Sequence, residues 1–232
     1  MMFDSVKSRA MPHSVLIVDD HPLFRRGVIQ LLAMEPDVQV VGEAGDFDAA
    51  LELAREKEPD LTLLDVNLKG RDGLHILTVL KDEDPSRRIV MLTVSDAPED
   101  LAAAVRAGAD GYLLKDTEPE TLLARLREVL DGRPVISEAL SQSVARTLAA
   151  DENAAGAPST QRNVRALTER ERAVLRCLAE GQSNKSIARN LSITEGTVKV
   201  HVKHLLKKLA FRSRVEAAVW ATQKGPRVLQ GE

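Results

Sequence analysis

Five apolar runs recur in the first part of the chain: Ser14–Val18, Val38–Val41, Leu61–Leu64, Ile89–Thr93 and Gly111–Leu114. Each is nearly continuous in apolar residues, as strands covered on both faces should be. Between them, apolar positions return every three or four residues near Leu23–Met34, Phe47–Glu56, Leu74–Lys81 and Asp100–Ala107, and again near Glu120–Leu130. That is the period of an amphipathic helix. Strands alternating with helices predict an α/β, doubly wound, five-stranded parallel sheet over 14–132.

The pattern then changes. Glu138–Ala150 has the spacing of a further helix, and Asp151–Gln161 (DENAAGAPSTQ) has the composition of a flexible linker. Residues 133–166 are therefore a linker with a helix in it. From Leu167 on, every signal is helical. Thr168 with Glu171 is a capping box, opening a helix that ends at Gly181. A short helix follows over Asn184–Leu191. Ser192–Ile193 make a tight turn, Thr194 caps a longer helix to Leu209, and Ser213 with Glu216 opens another over Val215–Thr222. This predicts a small all-α, four-helix domain over 167–232, with two helices at helix-turn-helix spacing.

Charge separates the same two parts. The formal net charge of −3 is the balance of −10 over residues 1–130, zero over 131–166 and +7 over 167–232. A basic C-terminal part points to an anionic partner and an acidic N-terminal part to a different task. No apolar run approaches the ~20 residues needed to cross a bilayer, so no membrane partner is expected. Met1–His13 lacks the apolar core of a signal peptide and reads as a loose N-terminal tail, with Met11 an alternative start. Cys177 is the only cysteine, which excludes an internal disulfide and fits a reducing, cytoplasmic setting.

The carboxyl ends of the predicted strands are where a doubly wound sheet gathers its function. The first strand ends in Asp19 and Asp20, the third in Asp65, the fourth in Thr93 and the fifth in Lys115. Singly, each has an ordinary role as a cap, a strand residue or a surface charge. Together, three carboxylates on neighbouring central strands would repel unless a cation sat among them, and hard oxygen ligands suit Mg²⁺.

The segments VDDHP, LLDVN, LTVS and YLLKD resemble the receiver domain of response regulators, whose fold is flavodoxin-like. The resemblance implies that Asp65 is the phosphoacceptor, taking a phosphoryl group from a sensor histidine kinase. It implies that Asp19, Asp20, Asp65 and the backbone carbonyl of Asn67 hold Mg²⁺. Lys115 and Thr93 would bind phosphate oxygens, and Tyr112 would be a switch aromatic that turns inward as Thr93 moves. Lys69 departs from the pattern, which has proline there.

In the predicted helix from Thr194, Val198, Val202, Leu205, Leu206 and Leu209 share one face. Gly196, Lys199, Val200, Lys203 and Lys207 share the opposite one. Val200 is apolar in the middle of this basic face, which a solvated surface does not explain and a thymine methyl does. The segment LTERERAVLRCLAEGQSNKSIARNLSITEGTVKVHVKHLLKKL resembles the helix-turn-helix of NarL/FixJ (LuxR-type) regulators. With SRVEAAVW and GADGYLLKD it is nearest their nitrate/nitrite-responsive branch. This implies that Lys199, Val200 and Lys203 read bases in double-stranded DNA. It places Lys185, Lys207 and Lys208 on phosphates, and makes Val215, Val219 and Trp220 the contact of a homodimer on DNA. His201 and His204 lack an accompanying carboxylate or thiol and are assigned to phosphate or solvent.

An enzyme using an aspartyl-phosphate would also place a nucleophilic Asp at a strand end. No separate substrate motif occurs, and Asn67 stands where such an enzyme needs a second acid/base. The expectation is a regulator rather than an enzyme, and the complete set Asp19, Asp20, Asp65, Thr93 and Lys115 argues against a vestigial receiver.

Overall fold

The computed structural model describes residues 12–68, 71–95, 97–133 and 164–229. Most of the tail, Lys69, the helix expected over Glu138–Ala150 and the linker Asp151–Gln161 lie outside the described residues.

The first unit is a parallel sheet of β1 (His13–Val18), β2 (Val38–Ala44), β3 (Leu61–Asp65), β6 (Ile89–Thr93) and β7 (Gly111–Leu114) in the order β2-β1-β3-β6-β7. Alternate side chains feed two cores. Val15, Ile17, Leu63, Val90 and Leu92 pack on α1 (Pro22–Leu32) and α5 (Pro119–Leu130). Leu16, Val18, Leu64 and Met91 pack on α2 (Phe47–Lys57), α3 (Gly73–Glu83) and α4 (Pro98–Ala107). Burial on both faces is why the strands read as continuous apolar runs rather than as alternation.

A two-residue antiparallel pair, β4 (Asn67–Leu68) with β5 (Arg71–Asp72), lies in the loop after Asp65. It is too short to leave a period in the sequence. The loop is tied at its far end by Gly73, whose N–H donates to the Val66 carbonyl at 2.8 Å. A Cβ on Gly73 would fall 2.0 Å from the Asp65 carbonyl oxygen. Gly73→Ala is therefore expected to destabilise the fold by about 3 kcal/mol, the upper end of overpacking costs. The measurement is urea denaturation of the full chain.

One ion pair holds the opposite end of the sheet. Lys81, on the apolar stripe of α3, places Nζ 2.7 Å from Asp110 Oδ2, with both side chains buried. It also donates to the Arg87 carbonyl, and Asp110 Oδ2 accepts from Ile89 N at 3.0 Å. The loops entering β6 and β7 are thereby fixed to α3.

The second unit has its own core and four helices among the described residues: α6 (Glu169–Ala179), α7 (Asn184–Leu191), α8 (Glu195–Leu209) and α9 (Arg214–Leu229). The expected caps are present. Thr168 and Glu171 form a complete capping box, and Ser183 and Thr194 accept from Ser186 N and Thr197 N. Ser213 accepts from Glu216 N, while the Glu216 carboxylate reaches back to Arg212 N. Ser192, at φ +53, ends α7 and makes the sharp turn into α8. The last helix continues beyond the expected Thr222 to Leu229.

Candidate functional site

Asp19, Asp65 and Thr93 are buried at the carboxyl edge of the sheet, and Asp20 is partly covered. Lys115, from the end of β7, reaches across with Nζ 2.8 Å from Asp19 Oδ2 and 2.7 Å from Asp65 Oδ2. Burial works against its charge, but the bonds to Asp19 and Asp65 outweigh this and raise its pKa. Burial raises the Asp65 carboxyl above the usual carboxylate range, against the opposing bonds from Lys115 and Asn67 N. Thr93 Oγ1 accepts from Ser95 N at 3.0 Å, which leaves its hydroxyl proton to donate.

Ligand oxygens of Asp19, Asp20 and Asp65, with a ring nitrogen of His21, lie within 4.8 Å of one another. Asp19 Oδ2 and Asp20 Oδ1 are inaccessible to water, and their nearest side-chain nitrogens are Lys115 Nζ at 2.8 Å and His21 Nδ1 at 2.7 Å. Buried anionic oxygens so placed favour a cation. Three carboxylates with an exposed fourth side are compatible with a partly hydrated Mg²⁺. Sequence reasoning missed two neighbours. His21 follows the acidic pair directly, and Arg25 donates from Nη1 to the Asp19 carbonyl at 2.5 Å while its Nε holds Glu43.

Tyr112 lies inside, 7% exposed, and its hydroxyl donates to the Ser95 carbonyl at 3.2 Å. The ring expected to swing inward already occupies that position, on the loop that follows Thr93.

In the second unit, Val198, Val202, Leu205, Leu206 and Leu209 are buried and Val200 is 50% exposed, as the helical sorting requires. Lys199 and Lys203 do not face solvent alone. Lys199 Nζ is 2.6 Å from Asp60 Oδ1, and Lys203 Nζ bonds Asp84 Oδ2. Both acids belong to the first unit, in the loops entering β3 and β6. The Asp60 carboxyl is pulled down to about 2: burial opposes this, and the bonds from Lys199 and Ser14 prevail. Further contacts join the units. Asn184 N donates to the Asp131 carbonyl at 3.0 Å, and Gly108 has no room for a Cβ, which would stand 2.9 Å from the Arg212 carbonyl.

The other basic positions divide. Lys185 and Lys207 are exposed, whereas Lys208 is bonded at 2.7 Å to the buried Glu171 carboxylate, inside the capping box of α6. Trp220 is buried in the core of its own unit, edge-on to Phe211 at 5.5 Å; Val215 is also buried, and Val219 is half-buried.

A phosphoaspartate-type pocket joined to a helical unit carrying a helix-turn-helix is the construction of a response regulator with a DNA-binding output. The receiver-domain family model for response regulators matches residues 15–127, and the model for bacterial regulatory proteins of the luxR family matches residues 165–221. The chain is 50% identical over 217 residues to the nitrate/nitrite response regulator protein NarL of Escherichia coli, spanning 94% of this chain and 98% of that one. It is 48% identical over 215 residues to NarP of the same organism, spanning 93% and 97%. The chain thus belongs to the LuxR-type response regulators and stands close to these nitrate/nitrite regulators. Among solved structures, the RcsB response regulator of Salmonella typhimurium aligns over 91% of this chain and 98% of its own, at 25% identity and TM-score 0.53. A LuxR-family two-component regulator from an Aurantimonas species aligns over 58% and 96%, at 32% identity and TM-score 0.54. Among the described residues no helix is long and apolar enough to cross a membrane.

Proposed function

We propose that phosphorylation of Asp65 by a sensor histidine kinase releases the recognition helix α8 from the receiver and allows the chain to bind nitrate/nitrite-responsive promoters as a dimer. The observation that carries this reading is the pairing of Lys199 and Lys203 with Asp60 and Asp84. The two lysines assigned to base reading are held by receiver carboxylates, and one helix face cannot serve both partners. The pairs are half-exposed, so each is worth only ~0.2–1 kcal/mol, which suits a contact that must open.

The receiver chemistry follows from its own residues. Asp65 presents its carboxylate to the phosphoryl group of the kinase histidine. Lys115, already against Asp65 Oδ2, is placed to pair with a phosphate oxygen, and the Thr93 hydroxyl to donate to another. Asp19, Asp20, Asp65 and the Asn67 carbonyl would hold Mg²⁺, which supplies counter-charge to the transferring oxygens. The chain itself turns over no substrate.

The sheet offers the route between the sites. Three adjacent strands have a pocket residue at or just after their carboxyl end and an interface residue just before their amino end: Asp65 and Asp60 for β3, Thr93 and Arg88 for β6, Lys115 and Asp110 for β7. Each pair is five residues apart, ~16 Å at ~3.3 Å per residue. A shift of β6 as Thr93 engages phosphate reaches the loop that holds Asp84.

On released DNA-binding units, Lys199, Val200 and Lys203 would read bases, and Lys185 and Lys207 would contact phosphates. Lys208 is held by Glu171 and needs to exchange partners to join them. Trp220 is buried in its own core and Val215 is covered in the closed chain, so of the three dimer positions Val219 is the most accessible. A DNA target and a single thiol left unpaired support a cytoplasmic location.

The test compares the isolated fragment Leu167–Glu232, which has its own core, with the unphosphorylated full chain. The fragment is expected to bind target DNA at least tenfold more tightly. Equal binding overturns the inhibitory contact.

A further inference from the structure

A cleft of about 210 Å³, open to solvent on one side, lies between the two units at the amino-terminal edge of the sheet, on the opposite edge from Asp65. It has room for several waters, at ~30 Å³ each, and is smaller than the ~300–1,000 Å³ of sites for drug-sized ligands. Its charged lining pairs off incompletely. Lys199 takes Asp60 and Lys203 takes Asp84. Asp110 is engaged by Lys81 and Ile89 N, and Glu58 is exposed to solvent.

Two guanidinium groups are left over. Arg88 is 9% exposed and lines the cleft, yet among the described residues its side chain makes no hydrogen bond and no close ion pair. Arg214 is 8% exposed and, among the described residues, donates to two neutral oxygens, Asn184 Oδ1 and the Gln182 carbonyl, both at 3.0 Å. The neighbouring Arg87 Nε is also buried without a partner. Burial, then the charge of Arg88, pushes the Arg214 guanidinium down to about 10 against the pull of Asp110. Burial lowers Arg88 as well, against the pull of Asp110, Asp60, Asp131 and Glu195. Asp110, the acid that acts on both, is already engaged by Lys81 and Ile89 N, so the two buried like charges are incompletely compensated, which is costly to maintain.

We propose that this cleft binds a small inorganic oxyanion of the phosphate or sulfate class, held between Arg88 of the receiver and Arg214 of the DNA-binding unit. The planar fork of each guanidinium matches the paired oxygens of such an anion. The proposal rests on the closed arrangement described above and extends it. Because one arginine comes from each unit, the site exists only while the units are together. An anion bound there stabilises the closed state, and by linkage each step toward opening weakens its binding. The cellular oxyanion level would then set how strongly phosphorylation must act to free the recognition helix.

The test is equilibrium dialysis of inorganic phosphate against the full chain, without Mg²⁺ and at constant ionic strength balanced with chloride. One phosphate per chain is expected for the wild type. Affinity is expected to fall at least tenfold in Arg88→Met and in Arg214→Met, which lie in different units. Arg88→Lys, which keeps the charge and loses the fork, serves if the methionine variants do not fold. Asp65→Asn is expected to stay within twofold. No binding by the wild type overturns the proposal. So does binding that survives in the arginine variants and is lost in Asp65→Asn, which would locate the anion in the phosphorylation pocket. No DNA is present, so failure here is distinct from failure of the inhibitory contact, which the fragment comparison reads separately.

Discussion

Replacing Asp60 and Asp84 together by asparagine is expected to raise the DNA affinity of the unphosphorylated full chain roughly 2–30-fold. Two half-exposed ion pairs are worth ~0.4–2 kcal/mol together, at ~1.4 kcal/mol per factor of ten. Neither residue touches the phosphorylation pocket, so phosphoryl transfer to Asp65 should be unchanged. The isolated Leu167–Glu232 fragment sets the ceiling, because it has no receiver to shed. A double variant that binds no better than the wild type would mean the lysine pairs do not hold the domains together. Gel-shift titration at a fixed salt concentration is the measurement, since salt weakens both the latch and DNA binding.

Lys203→Met separates the two roles of the same residue. In the full chain it also breaks the bond to Asp84 and so loosens the latch. In the isolated fragment only the DNA role remains, and there the loss is expected to be ~5–150-fold on the cognate site, from ~1–3 kcal/mol for a base contact. The loss should shrink on unrelated sequence. A uniform loss across sequences, with the salt slope reduced by ~1, would instead make Lys203 a phosphate contact.

The sheet, its helices and the acidic pocket were legible because each rests on local signals. The strands are apolar on both faces, and Asp19, Asp20, Asp65, Thr93 and Lys115 stand directly at strand ends. The faces of α8 were legible for the same reason, with Val198, Val202, Leu205, Leu206 and Leu209 buried. The short strands Asn67–Leu68 and Arg71–Asp72 were not, because two-residue strands carry no period. The run to Leu229 was hidden by Gly225 and Pro226, which read locally as breakers. The interdomain pairs could not be read at all. Lys199 and Asp60 are 139 residues apart, and Asp60 after Pro59 looks like an ordinary turn residue. Lys81 did leave a signal, a lone cation on the apolar stripe of α3 beside Leu77 and Leu80. A buried partner such as Asp110 is what that position demands.

Tyr112 bears on how the switch works. Its ring is already buried beside the Thr93 loop while α8 is held by the receiver. An inward aromatic is therefore compatible with the closed chain. The charge that arrives on Asp65 is the difference between the two proposed states.

In the proposed mechanism the charge state of Asp65 governs access to a helix at the other edge of the sheet. Its most direct test is DNA binding by the full chain with and without a small phosphodonor plus Mg²⁺, for wild type and Asp65→Asn. Phosphodonor is expected to strengthen wild-type binding at least tenfold and to leave the variant unchanged. Binding that is the same in all four conditions would contradict it.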